Sequence, residues 1–311
     1  MRVRACVSAR LVALVLRILL LGGFRAYDDG RPIAHFATPK VQAFFSFLLL
    51  NRQRLWPRDV LTTVFWPNAD HHSARNSLNT TMCRLRDALA PYEEGHSYLL
   101  ARAGFVGADP EHLPSIDSAE FEAAVAEADG YAVGDAGRVA ALRRADDLYG
   151  GALLEGCYLD WCVSERERLD RLHLAVLDAL MAISESTGDC AAAIALGGRI
   201  LTADPLREDV HRNLMRLYLR IGQRADAHRQ YLDVQRLLAQ ELGVAPTEDT
   251  RAVLNEVLGQ PRLDQDSLGT FESVLRALDE LRERIAAAMN GRTSDAAREG
   301  GNDGRGRSPS L

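Results

Sequence analysis

Apolar positions in residues 71–89 recur at spacings of four and three: Ala74, Leu78, Met82, Leu85 and Leu89. That stripe predicts one buried face of an amphipathic helix, with Asp70 as its N-cap. Residues 17–36 alternate instead, and Asp28-Asp29-Gly30 marks a tight turn between short strands at 24–27 and 31–33. Thr38-Pro39 opens a first helix, with proline at its first position. Phe44, Phe45, Phe47, Leu48 and Leu49 make it the buried one of its group. A second helix follows Trp56-Pro57, with Val60, Leu61, Val64 and Phe65 on one face, and stops at Trp66-Pro67. Beyond Pro91, segments 98–101 and 105–106 flank Arg102-Ala103-Gly104 as a terminal hairpin. Strands, three helices and a hairpin in this order form a winged helix-turn-helix.

From residue 109 onward the pattern turns helical, with helices expected at 117–129, 136–149, 160–186, 189–203, 207–221, 224–241 and 248–258. Gly188 and Gly222 open two units offset by 34 residues, within which Ala193 matches Ala227. That period is the spacing of tetratricopeptide helix pairs. Ala191, Ala192 and Ala193 mark a close approach of helices. Phe271, Leu278 and Ile285 lie seven apart, as do Val274, Leu281 and Ala288. This run is too short for an independent coiled coil and reads as a helix that docks on its own domain, pairing with a second copy being the alternative.

The expected fold is therefore mainly α: an N-terminal winged helix-turn-helix (α+β) followed by an all-α, tetratricopeptide-like helical repeat domain. Residues 1–15 read as an unstructured extension, 16–108 as the winged module, 109–260 as the helical repeat, 261–290 as an amphipathic helix and 291–311 as a disordered tail. Residues 1–10 are basic and 11–21 almost wholly apolar, as in a secretory signal. Arg17 divides that run and no small-residue cleavage site follows, so a buried first strand at 17–21 is the better reading. No later segment reaches the roughly 18 apolar residues of a membrane helix, which points to a cytoplasmic protein without a membrane partner.

The 311 residues are 47% apolar and 26% charged, ordinary for globular domains. The net charge of −6 argues against a nucleic-acid partner until it is divided along the chain. Residues 1–108 hold 14 basic against 7 acidic residues, a net of +7; the remainder holds 23 against 36, a net of −13. A phosphate-facing module joined to an acidic, protein-facing one fits that split. The only lysine is Lys40.

The face of the 71–89 helix opposite its apolar stripe carries Arg75, Asn76, Asn79, Thr80, Cys83, Arg84 and Asp87. Arginine and asparagine make bidentate contacts with guanine and adenine edges, although a solvated face has the same composition. Arg75, Asn76, Asn79 and Thr80 are the candidate base readers, and Arg84, Arg86 and Arg102 the candidate phosphate holders. His71-His72 diverge by about 100° on a helix and make a poor metal pair. Cys157 and Cys162 lack the further ligands zinc needs and read as small buried thiols. Five irregularly placed cysteines fit a reducing compartment. With no nucleophile, paired-carboxylate or metal spacing, neither catalysis nor a cofactor is expected. A repeat scaffold that binds a partner peptide, with accessory DNA binding, is the competing reading.

Taken in order, several stretches resemble the SARP class of bacterial transcriptional activators, the antibiotic-regulatory type. In the first half these are Leu20-Leu21-Gly22-Gly23-Phe24, Thr38-Pro39-Lys40, Phe65-Trp66-Pro67-Asn68-Ala69-Asp70, and Ala74-Arg75-Asn76-Ser77-Leu78 leading to Arg84-Leu85-Arg86. In the second they are Leu148-Tyr149-Gly150-Gly151, Leu154-Glu155-Gly156, Asp160-Trp161, Asp204-Pro205-Leu206-Arg207-Glu208 and Glu241-Leu242-Gly243-Val244-Ala245-Pro246. The resemblance implies an activator that binds repeated sites in double-stranded promoter DNA and contacts RNA polymerase, in the setting of a biosynthetic gene cluster. It implies DNA contacts along 71–89, including Arg84 and Arg86, and at Arg102. It also implies polymerase contact at Pro67, Asn68, Ala69 and Asp70. A homodimer on DNA remains open. Gly151 departs from the acidic residue usual there, Cys83 from a small hydroxyl residue, and Phe44-Phe45 is bulkier than expected. The ATPase loop of larger relatives is missing from this chain.

Overall fold

A computed structural model of the chain describes residues 16–34, 36–93 and 96–259. The expected extension at 1–15, helix at 261–290 and tail at 291–311 lie outside the described residues. The chain divides into a unit of residues 1–245 and a unit of residues 246–311.

The first unit begins with strands β1 (Leu16–Leu19), β2 (Arg25–Asp28) and β3 (Arg31–Pro32), followed by helices α1 (Pro39–Leu50), α2 (Arg58–Phe65) and α3 (His71–Leu89). A two-residue strand, β4 (Trp56–Pro57), precedes α2, and the hairpin β5 (Leu99–Arg102) and β6 (Phe105–Ala108) follows α3. Strand β7 (Ser115–Ile116) runs straight into α4 (Asp117–Asp129). Five more helices are α5 (Ala136–Leu148), α6 (Asp160–Ser186), α7 (Cys190–Ala203), α8 (Glu208–Arg220) and α9 (Arg224–Glu241). Of the second unit, α10 (Glu248–Leu258) is described; it ends at Gly259, whose φ of 71° is the left-handed C-cap.

The fold is mainly α, as expected, and the helix bounds fall within a residue of those read from periodicity. Two local readings need correction. Val60 is exposed, and α2 buries Leu61, Thr62 and Phe65 instead, because the helix turns its Val60 edge to solvent. The close helix approach lies at Ala193 and Gly197, not along Ala191–193: Ala191 is exposed, whereas a Cβ on Gly197 would come within 2.7 Å of Leu214.

Two small sheets frame the first three helices, in strand orders β3-β2-β1-β7 and β4-β6-β5. Within the first, β1 pairs antiparallel with β2 and parallel with β7, Ile18 facing Ile116. The end of β1 is tied to the helical region by a buried carboxylate. Asp117 accepts the amides of Leu20 at 2.8 Å, Leu21 at 2.9 Å and Ser118 at 2.7 Å. Burial pushes its carboxyl up, against those three amides. Nearby, Gly22 N–H donates to Ala152 O at 3.0 Å and Leu154 N–H to Leu20 O at 2.8 Å. Gly151 sits at φ 145°, and a Cβ there would approach Gly22 Cα to 3.0 Å. The glycine that departs from the family pattern thus fits a backbone contact with no room for a side chain.

One apolar core runs from Leu16 and Ile18 through Phe44, Phe45 and Leu48 to Phe121, Leu142, Cys162 and Leu169. Trp161, at the start of α6, packs its ring 5.2 Å from Phe47 and 6.2 Å from Phe65. A second, smaller core of Leu177, Met181, Ala193, Ile200, Val210, Leu214 and Leu217 joins α6, α7 and α8. Gly188 and Gly222 both adopt left-handed backbone, φ 80° and 78°, and Ala193 and Ala227 are both fully buried, so the 34-residue offset is a repeat in structure. Among the described residues no helix is long and apolar enough to cross a membrane.

Candidate nucleic-acid interface

Asp70 caps α3 by accepting the Ser73 amide at 3.0 Å, and hydrogen bonding to Ser73, from its side chain first and its amide second, holds the Asp70 carboxyl below the usual carboxylate range. Ala74, Leu78, Thr81, Met82, Leu85 and Leu89 are buried. The opposite side is exposed throughout: Arg75, Asn76, Asn79, Thr80, Cys83, Arg84, Arg86 and Asp87. A nineteen-residue helix with one side wholly solvent-facing and polar has the dimensions of a major-groove reader.

Four of the candidate side chains are held by the protein itself. Arg75 donates to Asp59 of α2, from Nη2 at 3.0 Å and from Nε at 3.3 Å, and His71 lies 3.8 Å from the same carboxylate. Asn79 Oδ1 accepts from Arg58, at the first position of α2. Asn76 meets the His72 ring at 3.2 Å, and the Thr80 hydroxyl donates back to Asn76 O at 3.0 Å. Arg84 and Arg86 make no ion pair among the described residues, which leaves their guanidinium groups to solvent or to an incoming anion.

The wing stands beside the N-terminus of α2. Its turn is Ala103-Gly104, at φ 47° and 84°, the two left-handed positions of a two-residue hairpin turn. Arg102 therefore closes β5 opposite Phe105 and lies next to the tip rather than in it. Arg58 N–H donates to Gly104 O at 3.0 Å, and β4 pairs with β6 through Trp56 and Val106. Gly107 allows this approach, because a Cβ there would meet Leu55 at 2.7 Å. Pro67, Asn68, Ala69 and Asp70, between α2 and α3, are all exposed.

Sequence reasoning missed three residues of this surface. Arg58 and Asp59 open α2 and bond to Asn79 and Arg75; neither belongs to an apolar period, and only their place after Trp56-Pro57 could have drawn attention to them. Lys40, the lone lysine, is the third. Its ammonium donates to Phe65 O at 2.6 Å and lies 5.1 Å from the Trp66 ring, closing the C-terminus of α2. Burial lowers its pKa, opposed by the charge of Cys157. Lys40 also lines a shallow hollow of about 340 Å³ with Trp66, Asn76, Thr80 and Arg84.

Residues 116–258 match the bacterial transcriptional activator domain. The match opens at Ile116, the residue of β7 that pairs with β1. The chain is 30% identical over 268 residues to the regulatory protein AfsR of Streptomyces coelicolor, covering 85% of this chain and 26% of AfsR. It is 28% identical over 261 residues to the transcriptional regulatory protein EmbR of Mycobacterium tuberculosis, covering 79% of this chain and 64% of EmbR. It thus spans about a quarter of one of these relatives and under two thirds of the other. A solved structure of M. tuberculosis EmbR, in complex with a low-affinity phosphopeptide, superimposes with a TM-score of 0.65 at 25% identity, over 85% of this chain and 71% of that one. The resemblance to SARP-type activators read from the motifs is borne out by the activator domain and by these regulators.

Proposed function

We propose that this activator-domain protein is a sequence-specific DNA-binding activator. It binds repeated promoter sites and recruits RNA polymerase at a biosynthetic, secondary-metabolite gene cluster, acting on the nucleoid in the cytoplasm. The observation that carries the reading is the unbroken polar side of α3, framed by Arg58 and the wing and left uncovered by the rest of the first unit. On this reading Arg75, Asn76, Asn79 and Thr80 meet base edges, and Arg84, Arg86 and Arg102 hold phosphates. The exposed Pro67–70 loop then meets the polymerase.

Footprinting with the full chain on DNA flanking its gene tests the reading. Protected repeats spaced by about one helical turn, or a multiple of it, are expected. Binding that is equally tight on unrelated DNA overturns it. Asn68→Ala is expected to leave the footprint intact and to lower transcription in a purified polymerase assay. The full chain is the correct reagent, because the core under α1 continues into α4, α5 and α6.

A further inference from the structure

Ser77, Thr81 and Arg84 lie four and three residues apart on α3, so they share one edge of that helix, between its buried stripe and its exposed side. That edge faces the N-terminus of α1 across the hollow of about 340 Å³ that Lys40 and Trp66 also line. Thr81 is 6% exposed and lines the hollow, and its hydroxyl has no hydrogen-bond partner among the described residues. Its neighbour Thr80 turns its hydroxyl back to Asn76 O, the ordinary way a helix absorbs such a group. Thr81 does not, although alanine would form the helix better and bury no polar atom. The fold thus holds a covered donor open toward the hollow.

Other donors converge on the same space. Lys40 uses one of its three ammonium hydrogens on Phe65 O at 2.6 Å, which leaves two. Arg84 makes no ion pair and no side-chain hydrogen bond among the described residues. Thr38, the N-cap of α1, makes no side-chain cap bond, and Pro39 follows it. The Lys40 and Val41 amides of the first turn therefore have no acceptor within α1. None of the residues lining the hollow carries a carboxylate. Two cations, an unpartnered hydroxyl and two helix-start amides thus surround one space with no anion in it. A planar carboxylate, with two oxygens, would be satisfied by the Arg84 fork alone. A tetrahedral group with three or four oxygens can meet the ammonium, the guanidinium, the hydroxyl and the amides together.

We propose that this hollow is a seat for one phosphate group, held by the Lys40 ammonium, the Arg84 guanidinium, the Thr81 hydroxyl and the first-turn amides of α1. Inorganic phosphate and a backbone phosphate of a duplex present the same oxygens. Occupancy by the second rests on the proposed function; occupancy by the first does not.

Amide NMR spectra of the full chain, recorded as inorganic phosphate is added at neutral pH, test the seat, with acetate at matched ionic strength as the control. The Lys40, Val41 and Thr81 amides are expected to shift saturably with phosphate, and at least about tenfold more weakly with acetate. Thr81→Val replaces the hydroxyl by a methyl. It should keep or raise the melting temperature and weaken phosphate binding about tenfold, whereas a purely structural hydroxyl would give lower stability and unchanged binding. A second arm places single neutral methylphosphonate linkages along the footprinted duplex. A position whose penalty in the wild type vanishes in Thr81→Val marks a backbone phosphate as the occupant. Saturable phosphate binding with no such position marks soluble phosphate. Amides that respond to phosphate no more than to acetate, with no linkage sensitive to Thr81→Val, overturn the proposal. So does a folded Thr81→Val chain that matches the wild type in both arms. A chain that takes phosphate here but protects no promoter repeats keeps the seat and overturns the DNA reading alone.

Discussion

Arginine supplies nearly all of the positive charge, yet the guanidinium groups end up in different places in the two halves of the chain. In the helical region many are spent on carboxylates of the same region. Arg199 grips Asp146 with two bonds of 2.6 Å, and Arg207 spans Asp178 and Asp209. Arg168 lies between Glu122 and Glu165, and Arg236 pairs with Asp233. Around α3, Arg75 has a carboxylate partner, while Arg84 and Arg86 have none among the described residues. Net charge hides this contrast. What matters for an anionic partner is which cations the fold has left unneutralised, and where.

The sharpest break between the halves is expected at their junction. Asp117→Ala removes the acceptor of three amides, two of them at the buried end of β1. It should lower unfolding free energy by about 3 kcal/mol in urea titrations, whereas exposed Asp87→Ala should change it by less than about 0.5 kcal/mol. Next comes a paired test of the arginines. Arg84→Ala should weaken promoter binding about tenfold, reduce the salt slope by about one and leave the melting temperature unchanged. Arg199→Ala should do the reverse, costing about 1 kcal/mol of stability with binding and its salt slope intact. If both variants move both quantities, the division of labour is wrong.

A third test uses pH. Burial lowers the pKa of His173, against the attraction of Asp146, and burial likewise lowers that of His211. Both histidines are therefore neutral in the fold over a range where the unfolded chain takes up protons. Stability is expected to be full above the ordinary histidine value of 6.5 and to fall as pH drops below it. Scanning calorimetry should show that decline flattened in His211→Gln. The smallest effect is expected from Asp59→Ala, which frees Arg75 from its carboxylate. Binding-site selection should then show altered preference at one base pair, with overall affinity changed about twofold.

Local features of the sequence carried most of the architecture. The stripe of α3, the Asp70 cap and the paired glycines at 188 and 222 are properties of neighbours within a few turns, which periodicity reports directly. Other features join residues about a hundred positions apart: the parallel pairing of β1 with β7, the hold of Asp117 on Leu20 and Leu21, and the packing of Trp161 on Phe47. No spacing rule encodes such contacts. At the candidate interface, composition named the polar side of α3 but not the tethers Arg58 and Asp59, whose meaning depends on how α2 crosses it. The two cysteines were visible as a pair; that Cys162 is buried and Cys157 only half-buried, against the reading of both as buried thiols, followed only from the turn between them.

The strand pairing of Ile18 with Ile116 has a consequence for biosynthesis. During translation strand β1 must wait for nearly a hundred further residues before its parallel neighbour emerges, so the first sheet cannot be completed until the segment matching the activator domain has begun to leave the ribosome. Nascent chains halted before residue 115 should stay protease-sensitive, and the two halves should acquire resistance together.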